Sequence, residues 1–330
     1  MTSTLNWGII STARINRRFI PPAHESARST VLAVASRNLE SAAAFAKQWD
    51  IPLSFGRYEA LLAMPEIDAV YIPLPNSLHH EWVIKAAEAG KHILCEKPLA
   101  LTVAEVDDMI AVAQANGVTL LEAVVYQMHP QLAGLKAVLA GGLIGQVKVI
   151  RAYYGFTLPQ GATNIRLNKS LGGGSLWDVG SYPVSLANTI AGEPPAMVSG
   201  FQQTDAGVDV TFIGQMQYPN GTLAQFSCSF RAAYHVGAEL IGDQGRIRLA
   251  EPFQPNVDHK GSGLVHITPD DTETLIETEV ANPYACQVTA MERAVLDGEP
   301  VPYSLQDSRL TVETINALFQ SAEQGSAVKL

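Results

Sequence analysis

The chain has 330 residues, 47% hydrophobic and 16% charged, a composition typical of a globular protein with a large core. Its formal net charge of -10 at pH 7 argues against a general nucleic-acid-binding protein, which needs a basic face to displace counterions. The three cysteines, Cys95, Cys228 and Cys286, show neither a disulfide framework nor zinc spacing, so no metal is expected. Because no signal pattern and no membrane-length apolar run is present, we expect a cytoplasmic protein without a membrane partner.

The first part of the chain alternates short apolar runs with helical patterns. Strands are predicted at residues 5–10, 30–35, 69–72, 92–95 and 119–125, with helices at 39–49, 78–89 and 102–116. Such alternation is typical of a doubly wound, mainly parallel α/β sheet. A first domain over residues 1–125 is predicted.

The ends of the first two strands predict a dinucleotide site. Ser11 begins a turn into a helix, where backbone N–H groups can receive a pyrophosphate. Ser11, Ala13 and Asn16 stand where such turns usually carry glycine, so an ordinary β-α turn fits this pattern equally well. Ser36 and Arg37 follow the second strand and suit a ribose 2′-phosphate, which favours NADP over NAD. The alternative is that Arg37 is a solvated arginine opening a loop.

Two later strand ends carry prolines. Pro73 and Pro75 stiffen the loop after the strand at 69–72, a plausible wall for a nicotinamide. Glu96-Lys97-Pro98 follows the strand at 92–95, and its X-Pro bond can be cis in a tight turn. Taken alone, Glu96 and Lys97 can equally be surface charges in a loop. His79 and His80 point to different faces of a helix, which favours a hydrogen-bonded histidine over a metal pair.

The second part of the chain has long strand-like segments. These lie at residues 147–156, 210–218, 222–230, 238–241 and 246–249, and Asn220-Gly221 predicts a type I′ hairpin turn. Helices are predicted over 283–296 and from about 304 onward. The pattern indicates an α+β domain over residues 126–330, built on an open, mainly antiparallel sheet, with the last helix packing back on the first domain.

A glycine-rich segment, Gly172-Gly173-Gly174, leads into a helical pattern that carries Asp178 and Tyr182. At i and i+4 these two side chains share one helical face. A carboxylate and a phenol so placed can hold a polyol and move a proton if a nearby ammonium favours the phenolate. Alternatively, Asp178 is an early-turn helix charge and Tyr182 an interfacial aromatic.

Together, Glu96-Lys97-Pro98 and the later Gly-Gly-Gly-x-Leu-x-Asp-x-Gly-x-Tyr segment resemble the Gfo/Idh/MocA oxidoreductases over nearly the whole chain. Ser11 to Ile15, Ser36-Arg37-Asn38 and Pro75 to His79 are similar to the branch holding NADP-dependent D-xylose 1-dehydrogenases and dimeric dihydrodiol dehydrogenases. The resemblance implies a Rossmann domain, a second domain whose open sheet often pairs two subunits, and hence a homodimer or higher homo-oligomer. It also implies that Lys97, Asp178 and Tyr182 are catalytic.

The resemblance further implies a site for NADP and a site for a sugar or polyol. The expected cofactor-binding residues are Ser11, Thr12, Ala13, Arg14, Ile15, Ser36, Arg37, Pro73, Pro75, Asn76, His79, Glu96 and Lys97. The expected substrate-binding residues are Lys97, Tyr126, Phe156, Arg166, Asp178 and Tyr182. No metal is required, because these side chains can bind the substrate and move its proton.

The sequence is compatible with several reactions and with one function of a different class. The preferred reaction is oxidation of an aldopyranose such as D-xylose at C1, with Tyr182 or Lys97 as proton acceptor. A trans-dihydrodiol dehydrogenase, an inositol dehydrogenase or a keto-sugar reductase would use the same fold. A regulator that senses NADP without turning it over belongs to a different class, and would not need Lys97, Asp178 and Tyr182 together.

Overall fold

A computed structural model describes residues 4–159, 164–257 and 261–330. The strands are β1 Leu5–Ile10, β2 Ser29–Ala35, β3 Leu53–Phe55, β4 Ala69–Ile72, β5 His92–Cys95, β6 Leu120–Glu122, β7 Val147–Gly155, β8 Met197–Asp205, β9 Val208–Gln217, β10 Leu223–Ser229, β11 His235–Gly242, β12 Arg246–Leu249, β13 Leu264–Ile267, β14 Glu273–Ile276 and β15 Val328–Lys329. The helices are α1 Asn16–Glu25, α2 Leu39–Gln48, α3 Tyr58–Leu62, α4 His79–Glu88, α5 Val103–Ala115, α6 Pro130–Ala140, α7 Ser181–Ala191, α8 Pro283–Leu296 and α9 Leu305–Gln324.

The chain forms two compact units. The first comprises Met1–Val124 and Tyr284–Leu305, and the second comprises Val125–Pro283 and Gln306–Leu330. Nearly all of α8 therefore belongs to the first unit and nearly all of α9 to the second. None of the helices in the described ranges combines the length and the apolar character that crossing a membrane requires.

The first unit is built on a six-stranded parallel sheet in the order β3-β2-β1-β4-β5-β6. Strands are added in opposite directions on the two sides of β1 and β4. In open α/β sheets this switch point, at the carboxyl ends of the strands, is where ligands bind. The sheet confirms the predicted doubly wound architecture.

Side chains at helix ends explain where two helices of the first unit begin. Asn38 caps α2, since its Oδ1 accepts the Ser41 N–H at 3.0 Å. Thr102 and Glu105 form the reciprocal capping box that opens α5. Each such cap contributes about 1 kcal/mol. Both caps can be read from the sequence because they depend only on neighbouring residues.

An aromatic stack fills the core beneath the switch point. Phe19 stacks on Tyr71 with ring centroids 4.4 Å apart and meets the edge of Trp7 at 5.1 Å. The Trp7 indole N–H donates to Ser29 Oγ, which in turn donates to Glu292 on α8 at 2.6 Å. These buried hydrogen bonds connect α8, near the end of the chain, to the parallel sheet formed by the start of the chain.

The second unit contains a nine-stranded sheet in the order β14-β13-β12-β11-β7-β10-β9-β8-β15. Its pairs are antiparallel except β7 with β10, which confirms the predicted open, mainly antiparallel sheet. One face packs on α9, where Phe212 is fully buried and Gly200 leaves room for its ring. The opposite face exposes large apolar side chains, including Phe201 and Ile213.

The turn between β9 and β10 corrects one prediction. A type I′ turn needs positive φ at both Asn220 and Gly221, but only Gly221 has it, at 88°. Asn220 keeps negative φ because its polar groups are all held: its N–H donates to Glu193, its Nδ2 to the Ala191 carbonyl, and its Oδ1 accepts from Thr222. The hairpin itself is present.

The predicted helix after the triple glycine is also present, with a difference at its start. Leu176–Gly180 is a π-helix that continues directly into α7. Asp178 therefore lies in the π-helical turn and Tyr182 in the first turn of α7. Such π-helical turns are rare and often lie at functional sites.

Candidate active site

The turn after β1 is organised by Ser11. Its φ is +127°, a conformation that favours glycine, and three hydrogen bonds hold it there. Its N–H donates to the Ala35 carbonyl at the end of β2, and its Oγ donates to the Pro73 carbonyl after β4 and accepts the Ala13 N–H at 3.2 Å. A serine thus replaces the usual glycine and links three strand ends.

The start of α1 presents free backbone donors. Within the part of the chain that the structure describes, the N–H groups of Arg14 and Ile15 have no protein acceptor. The Asn16 side chain is buried and donates to the Ser11 carbonyl at 2.8 Å, which fixes the turn. Free N–H groups at a helix N-terminus suit a pyrophosphate. The turn therefore fits a dinucleotide.

Arg37 lies immediately after β2 and Ser36. Its side chain is exposed and, among the residues described, forms no ion pair with an acidic group. Burial raises the pKa of the neighbouring Tyr58, and the positive charge of Arg37 opposes that rise. An exposed guanidinium at this strand end is available to an anionic ligand group.

His79 joins the loop after β4 to the turn after β5. Its ring is fully buried, with Nδ1 2.9 Å from the Pro98 carbonyl and Nε2 2.9 Å from the Leu74 carbonyl. Burial lowers its pKa. Because each ring nitrogen contacts a backbone oxygen, His79 connects the loop from Pro73 to Pro75 with the turn at Pro98. His79 itself is buried behind these two segments.

The Glu96-Lys97-Pro98 turn is held from below by Tyr71. The Tyr71 hydroxyl donates to Glu96 Oε1 at 2.5 Å, and Glu96 Oε2 accepts the Lys97 N–H at 3.3 Å. Burial, and then the charge of Glu96, raise the pKa of Tyr71 well above its usual value. The Lys97-Pro98 peptide bond is cis. Tyr71 was not predicted as a site residue, and its only signal in the sequence is a polar atom within the buried Ala-Val-Tyr-Ile strand.

Tyr71→Phe is expected to weaken NADP binding by about threefold to tenfold, because it removes one hydrogen bond to a charged group. Glu96 would lose the donor that orients it, and the backbone at Lys97 would loosen. Titration of NADP against intrinsic tryptophan fluorescence measures the change. Tyr218→Phe is the matched control: it removes a buried tyrosine hydroxyl that donates to Asn188 Oδ1 at 2.8 Å, in the second unit, which holds none of the proposed NADP-binding residues. Equal effects of the two variants would contradict the assigned role of Tyr71.

In the second unit, Arg166 and Asp178 form an ion pair. Arg166 Nε donates to Asp178 Oδ2 at 2.5 Å, and the carboxylate side chain is 14% exposed. Asp178 raises the pKa of the guanidinium. A neighbouring guanidinium favours the charged form of a carboxylate, which accepts hydrogen bonds. The sequence predicted both residues as site residues, without predicting that they pair.

Tyr182 lies in an aromatic cluster with Tyr126, Tyr154 and Phe253. The ring centroids of the three neighbours are 6.1, 5.6 and 5.5 Å from that of Tyr182. Tyr154 and Phe253 stack nearly parallel. Tyr154 points to the inner face of β7, and Phe253 follows β12 in an irregular segment. Neither was predicted as a site residue, and Phe253 carries no periodicity that could have indicated it.

Tyr126 and Phe156 support this cluster. Tyr126 is 2% exposed, and its hydroxyl bonds to Ser185 Oγ and accepts from Gln127 Nε2, both at 2.8 Å. Ser185 also donates to the Tyr182 carbonyl. Phe156 is half-buried against Tyr154 and Phe230. The structure therefore groups Tyr126, Arg166, Asp178 and Tyr182 within one unit.

Comparison with known proteins identifies the two halves of the chain. Residues 5–124 match the oxidoreductase family with an NAD-binding Rossmann fold, and residues 132–248 match the GFO/IDH/MocA C-terminal domain. The chain is 36% identical over 325 residues to D-xylose 1-dehydrogenase (NADP⁺) 2 of Haloferax volcanii, covering 98% of this chain and 99% of that protein.

Two further similarities agree. Trans-1,2-dihydrobenzene-1,2-diol dehydrogenase of Bos taurus is 34% identical over 252 residues, 75% of each chain. A 3-ketoreductase from Actinomadura kijaniata, solved in complex with NADP and TDP-benzene, is 28% identical with a TM-score of 0.90, and the match covers 97% of this chain and 98% of that one. These matches confirm the resemblance seen in the sequence, and the chain belongs to the GFO/IDH/MocA oxidoreductase family.

Proposed function

We propose that this protein is an NADP-dependent oxidoreductase that transfers a hydride between the nicotinamide and a carbinol carbon of a sugar or polyol. One observation carries the proposal: a single helical segment holds Asp178, which pairs with Arg166, and, one turn later, Tyr182 in an aromatic cluster. A polar pair beside aromatic rings suits a sugar, which has hydroxyl groups on its edge and C–H groups on its faces. The similar proteins named above act in the same chemical class.

NADP would be held by the first unit. The free N–H groups of Arg14 and Ile15 would bind the pyrophosphate, and Arg37 with Ser36 would bind the ribose 2′-phosphate. When bound, NADP supplies the nicotinamide carbon that accepts or donates the hydride. The loop from Pro73 to Asn76 and the turn at Glu96 would border the nicotinamide and its ribose.

Lys97, Asp178 and Tyr182 would act on the substrate. In the oxidation direction, Lys97 hydrogen-bonds the reacting hydroxyl and Tyr182 takes its proton as general base. Asp178, paired with Arg166, accepts a hydrogen bond from a neighbouring hydroxyl and fixes the orientation of the ring. The alternative assigns proton acceptance to Lys97 and orientation to Tyr182.

An aldopyranose such as D-xylose, oxidised at C1, is the preferred substrate. The similarity to a D-xylose 1-dehydrogenase extends over 98% of the chain, further than the similarity to dihydrodiol dehydrogenase. A dihydrodiol, an inositol or a keto-sugar would enter the same site with other contacts. Fold similarity alone does not choose among them.

The test is to follow nicotinamide absorbance with NADP⁺, and separately with NAD⁺, across a panel of aldoses, inositols and dihydrodiols. We expect NADP⁺ reduction that is fastest with an aldopyranose. Reduction only with a dihydrodiol would keep the reaction class and replace the substrate. Tight NADP binding with no turnover of any polyol, and no NADPH oxidation by keto-sugars, would support the NADP-sensing regulator instead.

We also propose that two copies of the chain pair through the exposed face of the nine-stranded sheet. Phe201 is 75% and Ile213 52% exposed on neighbouring strands, and Tyr153 continues the apolar surface on β7. Ion pairs such as Arg248 with Glu273 border it. An apolar sheet face of this kind marks an interaction surface.

Phe201→Asp combined with Ile213→Asp is expected to convert a dimer into a monomer, because it places charge on both adjacent apolar positions. Light scattering after size exclusion, at micromolar concentration, measures the mass. Leu39→Asp is the matched control, since Leu39 is 59% exposed in α2 of the first unit. A wild-type monomer, or a variant that stays dimeric, would contradict this surface.

A further inference from the structure

The triple glycine precedes the segment that carries Asp178 and Tyr182, and it is enclosed by the Arg166 backbone on one side and by Asp209 on the other. A Cβ on Gly173 would lie 2.6 Å from the Arg166 carbonyl oxygen, and one on Gly174 would lie 2.2 Å from Asp209 Oδ1. Gly174 also has φ of +132° and donates its N–H to the Arg166 carbonyl at 2.9 Å. The loop therefore has its shape because a buried carboxylate on β9 lies directly against it.

Asp209 binds the start of the π-helix. Its Oδ2 accepts the Ser175 hydroxyl at 2.6 Å and the Leu176 N–H at 2.7 Å, and the side chain is 3% exposed. Leu176 is the first residue of the π-helix, where backbone N–H groups lack partners within the helix. Asp178 follows two residues later and Tyr182 at the next turn.

The carboxylate of Asp209 is surrounded by donors. In the described ranges it forms no ion pair with Lys, Arg or His; burial raises its pKa, and hydrogen bonds from Ser175 and Leu176 oppose that rise. Cys228 packs against Ser175, with Sγ 3.6 Å from its Oγ. A buried carboxylate without a cationic partner is costly to keep. Apart from the bond with its own backbone, the described hydrogen bonds of this carboxylate come from Ser175 and Leu176, so that segment is what it holds in place.

We infer that Asp209 is a positioning residue for Asp178 and Tyr182: its buried carboxylate fixes the first turn of the segment that carries both. This inference rests on the proposed function, in which those two residues act on the substrate. Asp209 would act through the backbone at Ser175 and Leu176. Preorganisation of this kind matters because a displacement of about 1 Å at reacting groups can reduce rate by about 10²-fold.

Asp209→Asn keeps the shape and removes the charge. The asparagine oxygen can replace Oδ2 and keep both bonds, but each then goes to a neutral acceptor and is about half as strong, and the NH₂ group takes the place of Oδ1 against Gly174. We expect kcat per NADP-binding site to fall by about 10²-fold, with the Kd for NADP unchanged, because the proposed NADP-binding residues lie in the first unit. Hydrogen exchange of residues 176–182 should become about tenfold faster.

Two companion variants sharpen the test. Asp205→Asn changes an exposed carboxylate near Asp209, on the neighbouring strand β8, where it pairs with Arg231, and should leave kcat and exchange as in wild type. Ser175→Ala removes one of the two bonds and should reduce kcat less than Asp209→Asn. It also keeps the inference testable if Asp209→Asn does not fold.

The outcomes distinguish a failure of this inference on Asp209 from a failure of the proposed function. If wild type turns over sugar but Asp209→Asn and Ser175→Ala match it in kcat and in exchange, the inference is wrong and the proposed function stands. A lower yield of active sites with unchanged kcat per site and unchanged KM would also overturn it, since that marks a purely structural residue. No turnover by wild type would overturn the proposed function, and the inference with it.

Discussion

Replacing Lys97 with methionine is expected to lower kcat by about 10³-fold, within the range that positioned acid-base groups contribute. In the proposed mechanism the ammonium hydrogen-bonds the reacting hydroxyl and helps Tyr182 to accept its proton. Methionine keeps the length of the side chain and removes the charge and its donors. Steady-state absorbance assays with saturating NADP⁺ measure kcat, and fluorescence titration checks that NADP still binds within a few fold.

Lys85→Met is the control for this variant. This variant makes the same change in the same unit. Lys85 lies on α4, where it pairs with Glu81 at 2.5 Å and lies over the Trp82 ring. The kcat of Lys85→Met should match that of wild type. Near-normal turnover by Lys97→Met on the best sugar would refute the proposed mechanism.

Tyr182→Phe and the double variant decide how the two residues share the proton transfer. If Lys97 and Tyr182 act together in one proton-transfer step, the kcat of the double variant should be little lower than that of the worse single variant. The effects of groups that act together in one step are not additive. The pH profile of kcat then assigns the acceptor, since the fall in kcat at low pH, where the acceptor is protonated, should vanish in the variant that lacks the acceptor. Additive losses would show that the two residues work in separate steps.

Local signals explain how much of the fold the sequence could predict. Short apolar runs between helical patterns located β1, β4 and β5 to the residue, and the capping box at Thr102 located the start of α5. The type I′ turn was wrong because Glu193 and Ala191, distant in sequence from Asn220, hold that residue at negative φ. Tertiary hydrogen bonds of this kind override a local preference.

The site was partly predictable for the same reason. Residues at strand ends, such as Ser11 and Arg37, stand out because parallel strands end at one edge of the sheet. Tyr71, Phe253 and Asp209 do not stand out, since each supports the site through a contact that only the fold creates. Tyr71 lies in an apolar strand, and Asp209 is the second residue of β9, whose sequence pattern indicates only a strand.

Arg37→Ala is expected to reduce kcat/KM for NADP⁺ by about 10²-fold, or roughly 2.8 kcal/mol, while the value for NAD⁺ changes little. The exposed guanidinium after β2 would bind only the 2′-phosphate, which NAD lacks. Its loss should therefore appear as a change in cofactor preference, with kcat nearly unchanged and KM for NADP⁺ raised. Assays with both cofactors, on the sugar that works best, give the ratio.

Salt dependence and a control arginine separate a specific contact from a general loss of charge. Arg57→Ala removes an exposed arginine of the same unit that forms no ion pair with any described residue, and it should leave the NADP⁺ to NAD⁺ preference unchanged. The KM for NADP⁺ of wild type should rise with ionic strength, because exposed charge pairs are screened over about 8 to 10 Å, and that dependence should shrink in Arg37→Ala. If both alanine variants reduced the NADP⁺ to NAD⁺ preference equally, the summed positive charge of the first unit would select NADP. Arg37 would then make no specific contact with the 2′-phosphate.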